Sequence, residues 1–256
     1  DGVMAYLSTR MARSFIHHLL ALVVLVALSS SAHAQIGRKN LPSFDDRPYH
    51  FGFILSGNQS DFDYALVDND SSNFKSVFNT PRPGFNLHLL GSYTLSRHWR
   101  VRFAPGLSFQ DRVLTYTFRS ETETGNDVTD DRATEAVFLD VPVYLKWRTD
   151  RINNVAAYAL IGSKYSRDFQ SQENSNVVRG NNNELVEADI LRLKRGNLSA
   201  DFGGGVDFFL PYFKFSIQVK TELGLRNILV PDLSKFATPL EYLKTRSFVV
   251  SFCFEG

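Results

Sequence analysis

The sequence predicts an all-β fold, an eight-stranded antiparallel up-and-down β-barrel that crosses a membrane. Three observations predict it. Segments with apolar residues at every second position recur along the chain. The connections between them alternate between short and long. An apolar leader precedes them all. The clearest segment is Phe213–Leu225, FKFSIQVKTELGL. Phe213, Phe215, Ile217, Val219, Leu223 and Leu225 share one face; Lys214, Ser216, Gln218, Lys220, Glu222 and Gly224 share the other. That is the period of a strand with one oily and one polar face.

Residues 1–34 are expected to be missing from the mature protein. The chain opens at Asp1, and residues 1–10 read as upstream read-through. Met11 with Arg13 makes a basic n-region, Leu19–Leu28 (LLALVVLVAL) an apolar h-region, and Ser31-Ala32-His33-Ala34 an A-x-A cleavage pattern. The apolar run is far short of the ~20 residues a spanning helix needs, so a cleaved signal peptide is expected. Residues 35–48 follow as an N-terminal periplasmic arm, and residues 49–256 as the barrel.

Removal of the leader takes away Asp1, Arg10 and Arg13 and leaves basic and acidic residues equal in number. A chain with no basic excess offers no electrostatic case for nucleic acid. Cys253 is the single cysteine, so no internal disulfide forms.

Eight strands are expected, at about Tyr49–Gln59, Gly84–Leu95, Trp99–Tyr116, Ala136–Trp147, Val155–Tyr165, Leu198–Phe209, Phe213–Leu225 and Ser247–Phe254. Their apolar faces can be written out. The first carries Tyr49, Phe51, Phe53 and Leu55; the second Phe85, Leu87, Leu89, Tyr93 and Leu95; the third Trp99, Val101, Phe103, Leu107 and Phe109. The fourth carries Leu139, Val141, Val143, Leu145 and Trp147, the sixth Leu198, Ala200, Phe202, Val206 and Phe208, and the eighth Phe248, Val250, Phe252 and Phe254. The fifth is weaker, because Tyr158 and Leu160 oppose Ala157, Ala159 and Ile161.

Ser96–His98, Thr149–Asn154 and Leu210–Tyr212 are short connections. Ser60–Pro83, Arg119–Glu135, Ser166–Asn197 and Arg226–Arg246 are long and polar. An outer-membrane barrel with both termini periplasmic has this layout, whereas a Greek-key sandwich has no reason to alternate. Tyr49, Tyr93, Trp99, Trp147, Phe208, Phe213 and Phe254 all fall at the short-turn end, where they form a periplasmic aromatic girdle. The opposite faces carry Arg100, Arg102, Asp140, Lys146, Asp201, Asp207, Lys220 and Glu222. In a barrel of eight strands these point into a narrow lumen and pair into a charge network that plugs it. Gly52, Gly106, Gly162, Gly203, Gly205 and Gly224 share this parity and leave room for long Lys and Arg chains. In a soluble sandwich the same charges would be solvated.

No catalytic residue, cofactor, metal or small-molecule substrate is expected. His88 and Ser92 share a face but lie four strand residues apart, roughly 13 Å, too far for a nucleophile and its base. His50 and His98 read as a polar-face residue and a solvated turn residue. Asp68-Asn69-Asp70 and Asp127 with Asp130-Asp131 lack the spacing of a calcium loop. Gly203-Gly204-Gly205 lacks the lysine and the helix of a phosphate loop. Residues 174–183 are Asn-rich and read as loop.

Several segments together resemble the PorT family of the type IX secretion system. They are Asn40-Leu41-Pro42 with Phe44-Asp45, His50-Phe51-Gly52-Phe53, Asp61-Phe62 and Pro83-Gly84-Phe85. Arg102-Phe103-Ala104-Pro105-Gly106-Leu107-Ser108-Phe109 with Arg112 is the most specific piece. Leu139-Asp140-Val141-Pro142-Val143-Tyr144-Leu145-Lys146, Asn153-Asn154 with Tyr158, Asp201-Phe202-Gly203 and Gly224-Leu225-Arg226-Asn227-Ile228-Leu229 complete it. The resemblance implies an outer-membrane protein without enzymatic activity, required for export and maturation of secreted proteases and adhesins. Its partners would be membrane lipid and other secretion components. The alternative is a generic small outer-membrane barrel with a porin-like, adhesion or ligand-binding role.

Overall fold

The computed structural model describes residues 39–67, 74–118, 128–169, 177–179, 185–187, 192–230 and 238–256. The expected leader at 1–34, the acidic residues 68–70 and 127, and most of 174–183 lie outside them.

Eight antiparallel strands close into a ring. They are β1 (Tyr49–Leu66), β2 (Phe74–Thr94), β3 in two pieces (Trp99–Phe103 and Gly106–Phe118), β4 (Val128–Arg148), β5 (Val155–Asp168), β6 (Gly196–Phe209), β7 (Lys214–Gly224) and β8 (Leu240–Glu255). Each pairs with its neighbours in the chain, and β1 closes the ring on β8 from Gly52↔Glu255 to Leu66↔Leu240. A separate ribbon pairs Val177–Arg179 with Leu185–Glu187. Among the described residues no helix is long and apolar enough to cross a membrane. Closure leaves no edge, so the ladder N–H and C=O groups are satisfied without water.

Proline does not interrupt the ring. Between the two pieces of β3, Leu89 N–H donates to Pro105 O at 2.9 Å and Ala104 N–H to Pro142 O at 3.3 Å. Pro81 and Pro83 lie inside β2, where the pairing with β3 shifts register between Pro81 and Phe85. A bulge absorbs the missing donors there.

The strands run well past the expected boundaries. Much of Ser60–Pro83, Arg119–Glu135 and Arg226–Arg246, expected as loop, is strand. The reason is an inversion of polarity at fixed parity along β1, β3 and β8: the same alternate positions stay inward, but the inward residues change from polar to apolar. Near the short turns, Phe51, Phe53 and Leu55 of β1 face out and are exposed, while His50, Ser56 and Asn58 are buried. Further along β1, Phe62 is buried and Tyr64 half-buried, while Asp63 is exposed. In β3, Leu107 is exposed; further along, Leu114 and Tyr116 are buried and Asp111 is exposed. One part of the barrel is therefore oily outside and polar inside, suited to acyl chains. The other is apolar inside and carries Asp63, Lys75 and Asp111 outside, with Phe78 and Leu66 the exposed apolar exceptions. The short turns at 95–98, 149–154 and 210–213 gather at one rim, and the far ends of the strands form the other.

Candidate functional site

Inward parity places the side chains that fill the lumen. All eight charged residues expected there are buried. They fall into two clusters and one outlier. Nearer the short turns, Lys146 meets Asp207 at 2.9 Å. Beside it Arg102 and Lys214 both donate to Glu255, at 2.6 and 2.7 Å. Arg102 also donates to Gln218 Oε1 at 2.9 Å, which accepts from Tyr158 OH at 3.1 Å. Deeper in, Glu222 bridges Lys164 at 2.5 Å and Lys220 at 2.8 Å. Lys164 reaches Asp140 at 3.2 Å, with His88 on the same carboxylate at 3.6 Å. Lys220 donates to Tyr144 OH at 2.7 Å, and that hydroxyl donates to Asp201 at 2.8 Å. Arg100, the outlier, turns to the mouth.

The Lys164, Lys214 and Glu255 contributions were missed. All three were legible by parity: Lys214 shares the inward face of Ser216 and Gln218, and Glu255 continues the inward series of Ser251 and Cys253 by one step. The lumen is not purely charged either. Tyr144, Tyr158 and Leu160 pack together, and Ile54, Leu90, Ala104 and Cys253 form a second apolar patch. This explains the fifth strand, whose Tyr158 and Leu160 face inward against small outward residues. The space over Gly205 and Gly162 is taken by the rings of Tyr158 and Tyr144, not by long cations alone: an added Cβ would lie 2.7 and 2.6 Å from them. Lys220 does take the space over Gly203.

The segment before β1 folds across the short-turn mouth. Phe44 is buried inside the ring, stacked on His50 with centroids 3.8 Å apart and edge-on to Phe209 at 5.7 Å. Lys214 and Arg100 lie over its ring at 4.7 and 5.7 Å. Asp45 accepts from Arg100 at 3.0 Å and pairs with Arg148 at 2.8 Å, with Arg151 at 4.0 Å. Asn40 N–H donates to Asn154 Oδ1 at 2.9 Å, and Arg151 donates to the Asn40 carbonyl. His50, expected as an ordinary polar-face residue, is the floor on which Phe44 stacks. His98 Nδ1 meets the Arg148 carbonyl at 3.0 Å.

The opposite end is closed by apolar side chains. Ile228 and Leu229, from the segment after β7, pack with Phe62, Val77, Leu114, Tyr116, Leu240 and Leu243. Asn227 Oδ1 holds the segment by accepting from Leu229 N–H and Leu243 N–H, both at 3.0 Å. Between the closures lie small voids of about 10 Å³, one among Lys164, Ser199 and Glu222 and one among His88, Arg102 and Ser251. Each has room for about one water. Of the aromatic residues expected at the short-turn rim, Tyr49, Tyr93, Trp99, Trp147 and Phe213 are exposed, and Phe208 and Phe254 half-buried. Among the described residues no His, Cys, Asp and Glu group has the makings of a metal site.

Asp45 makes the mouth sensitive to pH. Burial raises its carboxyl, but the hydrogen bonds and charges of Arg148 and Arg100 outweigh this and hold it below its usual range. A depressed carboxylate stabilises docking fully above its free value, about 3.9, and the advantage is lost as pH falls through the docked value. A dye on Ser43→Cys, an exposed arm position, is expected to keep high anisotropy down to about pH 4 and lose it below. With Asp45→Asn the anisotropy should be low at every pH. Identical curves would exclude the latch.

Comparison with known proteins places these features in context. A family model described as outer membrane protein beta-barrel domain matches residues 33–230. Among solved structures, the chain is similar to Ail, the attachment invasion locus protein of Yersinia pestis, in complex with the heparin analogue sucrose octasulfate. Identity is 13% and the TM-score 0.38, over 82% of this chain and 100% of that one. Neisserial surface protein A (NspA) is similar at 8% identity and TM-score 0.38, over 79% of this chain and 95% of that one. OprG from Pseudomonas aeruginosa is similar at 14% identity and TM-score 0.35, over 80% and 93%. Likeness at this level carries nothing about binding or activity. No curated protein matches the sequence.

Proposed function

The chain belongs to the outer membrane protein β-barrel domain family, and from that premise we propose a non-enzymatic outer-membrane barrel with a closed lumen, working through its rims and loops. The observation that supports this reading is the double closure. Phe44 and Asp45 seal one mouth, Ile228 and Leu229 the other, and buried ion pairs occupy the interior between them. Moving an ion through would break pairs that hold one another out of water. Purified protein in planar bilayers is expected to give no steady conductance at neutral pH. Stable single-channel steps would sink this reading in favour of a porin-like role.

Seating follows from the same features. Residues 1–34 are removed, both termini are periplasmic, and residues 35–48 are the periplasmic arm, within which Asn40–Asp45 cap the mouth. Trp99 and Trp147, paired across β3 and β4, then lie at the periplasmic headgroup level with the rest of the girdle. The outward apolar band meets membrane lipid.

A second reading is favoured by the segments resembling PorT. Two of them map onto structural parts: Asn40-Leu41-Pro42 with Phe44-Asp45 is the cap, and Gly224–Leu229 leads into the far closure. Under this reading the barrel serves type IX export of proteases and adhesins through partners met at these rims. Deletion of the gene in a strain with that system should leave cargo proteins unprocessed and cell-associated. Normal secretion of every cargo would remove this reading and leave the generic barrel standing.

A further inference from the structure

The outer wall of the barrel is not evenly charged where the apolar band ends. On or at the end of four consecutive strands an outward apolar residue has an exposed arginine close by, with Phe169 exposed again two past the first of them. On β5 it is Arg167, two past Tyr165; on β6, Arg195, just before the strand that carries Leu198. On β7 it is Arg226, next to Leu225; on β8, Arg246, two from Phe248. The register makes these neighbours. Arg167 lies opposite Gly196, Leu225 N–H donates to Leu198 O at 2.8 Å, and Arg246 lies opposite Leu223. Lys244 adds a fifth cation above Arg246.

The far wall is mixed at the same level. β1 presents Gln59, Asp61 and Asp63 and β3 presents Asp111, with Arg82 of β2 the exposed arginine between them, opposite Ser60. Asp61 and Asp63 register opposite Arg246 and Lys244, which ends the row at the β8–β1 seam. Among the described residues, none of Arg167, Arg226 and Arg246 is held in an ion pair. Side chains this long, directly over an apolar band, reach the depth of lipid headgroups.

We propose that this row is a docking face for phosphorylated lipid headgroups in the leaflet on the long-loop side. The acyl chains lie on the β5–β8 apolar wall, and the phosphates sit among the guanidinium groups. Two features carry the choice of occupant. The row is continuous with a surface that already contacts acyl chains, and its charge is complementary to phosphate, which guanidinium groups bind in a forked geometry. A soluble acidic partner would need no apolar wall beneath it. The inference rests on the outer-membrane seating, but not on the closed lumen or on a role in secretion.

The test uses the full mature chain in vesicles of phosphatidylcholine with a minor fraction of phosphatidic acid. The barrel is extracted in mild detergent and its retained lipid measured. Wild type is expected to retain phosphatidic acid enriched at least about fivefold over its share of the vesicle, the preference that a single basic residue near an anionic surface contributes. Salt of about 1 M, with a screening length of about 3 Å, should abolish the enrichment. The triple variant Arg167→Gln, Arg226→Gln, Arg246→Gln should lose it, and the control Arg82→Gln, Arg97→Gln should keep it. These sites are exposed, and heat-modifiable gel mobility checks that each variant is folded. Equal enrichment in wild type and triple variant, or none in wild type, would overturn the proposal. So would displacement by millimolar inorganic phosphate, which would indicate a site for a free anion. Failure of the seating itself would show as protein that never enters the vesicles.

Discussion

Glu255→Ala is expected to destabilise the folded barrel by about 3–5 kcal/mol, the cost of leaving a buried charge without its partner. Glu255 is almost fully buried, at 1% exposure, and neutralises two cations: Arg102, at 1% exposure, and Lys214, at 0%. Removing the carboxylate leaves both buried in the lumen without their counter-ion. The upper end of the range is expected, since two guests lose one host. Equilibrium unfolding in urea from lipid vesicles, followed by tryptophan fluorescence, reads the difference. A triple variant with Arg102→Met, Lys214→Met and Glu255→Leu separates causes. If unpaired charge is the cost, the apolar trio recovers most of the stability. A loss under about 1 kcal/mol for Glu255→Ala, within the range of exposed pairs, would mean that the carboxylate is not their counter-ion.

Val143→Arg should cost about 2–4 kcal/mol, the range for an arginine at the bilayer midplane on the lipid face of a barrel. Val143 is exposed, in the middle of the outward series Leu139, Val141, Leu145 and Trp147 of β4. It is paired with Phe103 and Ser163, so no room inside the sheet lets the guanidinium withdraw. Phe215→Arg, outward on β7 between Phe252 and Phe208, should behave alike. The same substitution at Asp63, exposed on the polar stretch of β1, is expected to cost less than about 1 kcal/mol, the repulsion of Lys244 opposite it. Heat-modifiable mobility and urea midpoints in vesicles distinguish the three. Neutrality of Val143→Arg would place water against that wall.

The part of the fold legible in the sequence was the part bathed in lipid. There an oily outward face alternates with a polar inward one, so Phe213–Leu225 declares both its strand and its two faces. Beyond the bilayer the outward face becomes polar and the inward one apolar. Phe62 and Val77 then read as stray hydrophobes in a polar loop, although they are strand residues pointing into a core. Proline misled at the same place: Pro83 looked like a strand end, but a register shift carries β2 past it.

The lumen was half legible for a related reason. Parity alone places Arg102, Lys146 and Glu222 inside, but pairing depends on shear, which joins Arg102 of β3 to Glu255 of β8 across the interior. No local spacing encodes that. The cap at the short-turn mouth was illegible, because one buried phenylalanine and one aspartate in a short polar arm have no periodicity to betray them. Their partners, Arg100, Arg148 and Arg151, come from β3, β4 and the turn that follows.

The most direct measurement is a nitroxide scan along β7 in lipid nanodiscs, one cysteine at a time from position 214 to 223, which the buried lone Cys253 leaves unconfounded. Labels at 215, 217 and 219 should collide readily with oxygen dissolved in the acyl region and hardly with a water-soluble nickel chelate. Labels at 216, 218 and 220 should meet neither. Outward labels open to the nickel chelate, or inward labels open to it along the whole strand, would contradict an oily-walled barrel with a filled interior.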